Sequence, residues 1–155
     1  MSETVNKIFK DEEVATLLGS QGKELHSVLI YLWQNKSGNE SLEIIDAIKF
    51  ILDDNIELTL TCDPESESIT LTSFDFLEYK RQHESEINDS IIIHEVNAGT
   101  TGMWKDTIKK KLKAVLLTKT KNGYASDSIV FDFEGEKRLL SINPLDGLLL
   151  DYYED

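Results

Sequence analysis

The chain has 155 residues, 40% hydrophobic and 29% charged, a composition that argues against a disordered chain. At that length about 70% of the unfolded surface can be buried, so one core is enough and folding needs neither a metal nor a disulfide. A formal net charge of −13 repels nucleic-acid phosphates and anionic membranes and favours a basic partner or a cation.

The start, Met1-Ser2-Glu3-Thr4-Val5, has neither the basic segment nor the apolar stretch of a signal peptide. No apolar run approaches the roughly 20 residues that span a bilayer, so the expected location is cytoplasmic. Next come Asp11-Glu12-Glu13, acids that suit a helix N-terminus, and Gly19, which suits its end. A short helix over residues 8–18, with Val14, Leu17 and Leu18 facing inward, is expected.

Residues 24–54 support two readings. Leu25, Val28, Leu29, Leu32 and Trp33 fall at helical spacing, as do Leu42, Ile45, Ile48 and Leu52. The same letters also overlay the C-terminal third, where Ile129 and Phe131 match Ile48 and Phe50. Further along, Leu60 falls on Leu140 and Asp63-Pro64 on Asn143-Pro144, while upstream Leu25, Val28 and Leu29 fall on Leu112, Val115 and Leu116. A repeat of this kind changes the whole fold assignment.

The hairpin from Leu58 to Leu71 alternates leucine or isoleucine with threonine, as in a sheet with one wet face. Its turn, Asp63-Pro64-Glu65-Ser66-Glu67, is rich in acid. Phe74 to Leu77 is apolar enough to dock, and Glu78 to Asn88 is charged throughout. Ser90 to Val96 reads as a strand, Asn97 to Gly102 as a flexible joint, and Trp104 to Lys111 as one or two helical turns. The last third, Leu112 to Tyr153, reads as four strands punctuated by Asn122-Gly123, Glu134-Gly135 and Asn143-Pro144. Its first part is locally basic, with seven lysines against one aspartate over residues 105–121. Lysines of this kind suit a solvated strand edge that resists edge-to-edge pairing.

The pattern predicts a β-rich α+β fold of antiparallel meanders in one compact domain, 1–155. Within it, two repeated helix-plus-four-strand units, 12–73 and 104–153, are joined by 74–103. The alternative is two N-terminal helices packed on one antiparallel sheet.

Few residues suggest chemistry. His26, His83 and His94 lack metal-ligand spacing, and Cys62 sits in an alternating run as a small core residue. Ser20-Gln21-Gly22-Lys23 has a Ser-x-x-Lys spacing without the accompanying elements that chemistry needs. Gly99-Thr100-Thr101-Gly102 could offer backbone amides to a phosphate, although the full phosphate-loop pattern is missing. The acids in turns and at the terminus, Asp53, Asp54, Asp63, Glu65, Glu67, Asp151, Glu154 and Asp155, are the candidate contacts for a basic partner. These features point to a non-enzymatic acidic interaction module, such as an immunity-type or adaptor protein, with no cofactor and no metal. The alternative is a small-molecule-binding domain or enzyme with its pocket between the sheets or at the Gly99 to Lys105 joint.

Overall fold

A computed structural model describes residues 8–35, 43–63, 68–72, 77–78, 80–81, 91–143 and 147–153. Helix α1 (Asp11–Gly19) starts at the acidic triplet, where the Glu13 carboxylate accepts the Lys10 N–H at 2.9 Å and satisfies a donor at the helix N-terminus. Leu17 is buried and Val14 packs against the core, whereas Leu18 is exposed, contrary to the inward orientation expected of it. A nine-residue helix has a narrow core-facing stripe, and Leu18 lies outside it.

Nine strands follow: β1 (Leu25–Asn35), β2 (Glu43–Leu52), β3 (Glu57–Asp63), β4 (Ser68–Thr72), β5 (Ile91–Asn97), β6 (Leu112–Leu116), β7 (Ser128–Phe133), β8 (Glu136–Asn143) and β9 (Gly147–Tyr152). They form one curled, mostly antiparallel sheet. Strands β1 to β4 pair in series, with β5 added beside β1, and strands β6 to β9 pair in series as well. The two runs join where Ile45 of β2 lies parallel to Gly147 of β9. A second junction brings Glu24 opposite Lys111, with Leu25 N–H donating to the Lys110 carbonyl at 2.9 Å and Leu112 N–H to the Lys23 carbonyl at 2.8 Å.

Residues 25–35 and 43–52 are therefore strands, and the two-helix alternative does not hold. The helical spacing arose because both faces of the β1–β2 ladder are covered. Val28, Ile48, Phe50 and Leu52 point into the core, while Tyr31, Ala47 and Ile93 are buried on the opposite face. Strands buried on both sides carry apolar residues at most positions, and some of these fall three and four apart by coincidence. The threonine face of the β3–β4 hairpin is likewise drier than expected, since Thr59 is buried beside Lys49, its partner across the β2–β3 ladder.

The core lies between the two runs of strands. Phe50, Phe131, Phe133 and Trp104 form an aromatic cluster, with Phe50 and Trp104 edge to face at 5.4 Å between centroids. Leu58, Leu60, Ile69, Leu140 and Leu148 complete it from both runs, and Cys62 packs against its margin. Trp104 to Lys109 forms successive turns rather than a helix. Leu77 is exposed, while residues 73–76 of the expected docking run lie outside the described residues. Helix α1 covers one flank by meeting both β4 and β6 at their edges.

Candidate functional site

The flank away from α1 holds an apolar concavity lined by described residues. Among the described residues, strand β9 pairs with β2 at Gly147 and not beyond it, leaving a cleft of about 400 Å³. Ile30 and Leu32 of β1, Ile45 of β2 and Val96 of β5 line one wall. Leu148, Leu149 and Leu150 of β9 line the other, and Ala98, Thr101, Met103 and Trp104 close it from the joint.

Gly147 makes this pairing possible. Its φ of +79° is a left-handed conformation, and a Cβ there would meet the Ile45 carbonyl oxygen at 2.5 Å and Ile44 Cγ2 at 2.6 Å. Only glycine allows the two backbones to approach this closely. At the other end of β9, Arg138 fixes the joint. Its side chain is only 3% exposed, and Nε donates to the Met103 carbonyl at 2.7 Å. Nη1 donates to the Lys137 carbonyl and Nη2 lies 3.3 Å from Glu136 Oε2, while the guanidinium stacks 4.5 Å from the centre of the Tyr152 ring.

The joint is held by its own hydrogen bonds. Thr101 N–H donates to the Ala98 carbonyl, Trp104 and Lys105 N–H groups donate to the Thr101 carbonyl, and Gly99 N–H donates to Asn97 Oδ1. The hydroxyls of Thr101 and Thr107 donate to the Ala98 and Trp104 carbonyls, each at 2.6 Å. Four amides around the Gly99–Gly102 loop are thereby consumed, so the loop does not present them as a phosphate cradle. The Thr101 hydroxyl and the Trp104 indole N–H are the side-chain hydrogen-bonding groups among the described lining residues, none of which is ionisable.

The acids selected from the sequence are spread over both ends of the molecule. Asp53 and Asp54 form the β2–β3 turn, where Asp54 and Asn55 take left-handed conformations. Asp63 ends β3 at the opposite end, and Asp151 is exposed near the end of β9. Glu65, Glu67, Glu154 and Asp155 lie outside the described residues.

Asp53 and Asp54 are engaged within the chain. Asp53 Oδ2 accepts the Glu24 N–H at 3.0 Å, and Oδ1 lies 2.7 Å from His26 Nε2. The Glu24 N–H, followed by His26, holds the Asp53 carboxyl below the usual carboxylate range. Lys23 Nζ meets Asp54 Oδ2 at 2.9 Å, and this hydrogen bond raises the Lys23 ammonium above its ordinary value.

Glu24, His26 and Asp53 are the described residues whose donor atoms could meet at one cation, all within 4.8 Å of one another. His26 Nε2 lies 3.4 Å from Glu24 Oε2, and Asp53 already joins the three by its hydrogen bonds to the Glu24 N–H and the His26 ring. The lysine-rich segment reaches the same end. Lys110 Nζ lies 4.0 Å from Glu136, and the Lys111 N–H donates to Glu134 Oε2 at 2.6 Å. Sequence reasoning pointed to the joint but not to the strand walls, because β1, β2 and β9 are far from it in the chain.

No protein-family model, no curated protein and no solved structure matches the chain. Among the described residues, no helix is long and apolar enough to cross a membrane.

Proposed function

We propose that the chain is a non-enzymatic interaction module for a basic protein, of the immunity or adaptor kind, and that the partner engages the cleft beside β9. The observation that carries this reading is the lining itself, which is apolar and free of ionisable side chains among the described residues. Such a surface can bury an anchor side chain but has no group to move a proton. The net charge of −13 supplies the second component, since it accelerates encounter with a cationic protein. Immobilised protein should retain basic proteins from a native lysate at low and moderate salt, and Leu149→Lys, which places a cation on the cleft wall, should release them. Recovery of no basic protein by the wild type at either salt overturns the reading.

A small-molecule ligand is the second reading, favoured by the cleft volume of about 400 Å³, within the range usual for ligand sites. Enhancement of an apolar fluorescent dye that is lost on Leu149→Lys would favour it, provided that no protein partner competes with the dye.

The two four-strand meanders are also proposed to be copies of one unit, 12–73 and 104–153. What supports this is the shared order of four antiparallel strands and the placement of Phe50 and Phe131 on the second strand of each. The single compact domain, 1–155, follows from the same proposal, because the two copies share one core.

A further inference from the structure

The sheet edges are treated unequally. The outer edge of β4 is occupied: Leu71 N–H donates to Glu13 Oε2 at 2.9 Å and Ile69 N–H to the Ser126 carbonyl at 2.7 Å. The outer edge of β6 is occupied too, with Val115 N–H on Gln21 Oε1 at 2.8 Å and Leu112 bonded to Gly22 and Lys23. Strand β9 pairs with β8 along its length but with β2 only at Gly147. Among the described residues, Leu148 to Tyr152 therefore has no strand on its second side. The Tyr152 N–H is taken by Asp151 Oδ1 at 2.8 Å, so the open part of the edge is Leu148 to Asp151, about 14 Å at roughly 3.4 Å per residue. Its Leu148 to Leu150 part carries no proline, no charge and no bulge, the features that usually protect an exposed strand edge; Asp151 guards only its end.

This edge is also the wall of the apolar cleft. A strand laid along it would have alternate side chains directed to one face, where Ile30, Leu32 and Val96 line the facing wall. Near its end the edge is acidic, with Asp151 exposed, and the chain as a whole carries a formal net charge of −13. Apolar residues would thus match the Leu148 to Leu150 part, and basic residues the end.

We propose that β9 is a docking edge, and that an extended, basic segment of the partner adds to it as a further strand with apolar side chains in the cleft. This inference rests on the interaction-module reading and specifies how the partner binds. Main-chain hydrogen bonds to the edge supply affinity, the cleft selects alternate apolar side chains, and the acids select lysine or arginine.

The test is selection of random displayed peptides of about twelve residues, an extended segment longer than the edge, against the full chain. The best peptide is then synthesised with N-methyl groups on alternate amides, in each of the two frames. The expected peptides alternate apolar with Lys or Arg. N-methylation should weaken binding at least tenfold in one frame and little in the other, because only alternate amides face β9. Amide exchange should slow across Leu148 to Asp151, and Asp151→Lys should weaken binding most at low salt. Equal tolerance of both frames, or protection elsewhere, overturns strand addition; the interaction reading survives if Leu149→Lys still releases the basic partner. Selection of acidic peptides, or of none, overturns the proposal, as does dimerisation of the chain through β9.

Discussion

The rings of Phe50 and Phe131 lie 4.9 Å apart between centroids, tilted by 54°, each on the second strand of its own meander. Both are 1% exposed, so each fills space that neither solvent nor a neighbour can refill. Phe50→Ala and Phe131→Ala should each cost about 3 to 5 kcal/mol in urea unfolding. Because the rings touch, the double variant should cost less than the sum of the two. A large loss at one position and none at the other would mean that the two meanders do not share this core equally.

Gly147→Ala tests the junction of the two runs. The added methyl group meets the Ile45 carbonyl and Ile44, and the left-handed backbone is unfavourable for alanine. The expected loss is more than about 1 kcal/mol. Gly135→Ala is the control: its φ is also positive, at +98°, but no atom lies within 4 Å of the added carbon, so it should cost less.

Arg138→Ala removes the bond to the Met103 carbonyl and the stacking on Tyr152. The expected cost is about 1.5 to 3 kcal/mol, the range for hydrogen bonds made by a charged donor. Arg138→Lys should recover little, because an ammonium lacks the planar fork that reaches two carbonyls at once. Since Met103 adjoins Trp104, the indole emission should shift in both variants.

Tyr31 provides an alkaline marker. Its side chain is fully buried and its hydroxyl donates to Glu95 Oε2 at 2.9 Å; burial first, then this bond, pushes the phenol well above its usual range. The unfolded phenol ionises near its ordinary value of about 10. The stabilisation is therefore fully present below that pH and falls as pH rises toward the folded-state value. Stability measured between about pH 9 and 11 should decline in the wild type, and Tyr31→Phe should flatten the decline.

Asp53 provides the acid counterpart. Its folded pKa is lowered, so its contribution is present above the unfolded value of about 4 and is lost as pH falls through the folded one. Asp53→Asn should therefore reduce the loss of stability on acidification. It should also free the His26 ring from its Asp53 partner, visible as a change in the imidazole chemical shifts at fixed pH.

The last third was legible in the sequence because glycine and proline mark its turns. Glu134 and Gly135, for example, take the two positive φ values of a tight hairpin between β7 and β8. Strands β1 and β2 were ambiguous for the opposite reason: with Tyr31, Ala47 and Ile93 buried behind the sheet, no wet face imposes an alternation. Charge was legible as amount but not as arrangement. The lysines of residues 105–121 are segregated in sequence, yet strand pairing brings Lys110 and Lys111 to Glu136 and Glu134. The cleft left no local signal for its facing walls, since Ile30, Leu32 and Val96 are far in sequence from Leu148 to Leu150.

The seam between the two runs has a kinetic consequence. Within each meander, neighbouring strands are close in sequence, with at most eleven residues (117–127) between them, and can pair early. The junctions between them are remote in sequence: Gln21 and Val115 are 94 residues apart, and Ile45 with Gly147 is of the same order. Such contacts incur loop-closure entropy before they contribute any stability, so they form late and slowly. The cleft is bounded by that late junction. Until it closes, β9 is an unprotected apolar strand on a nascent chain, and that interval is when the molecule is most exposed to self-association.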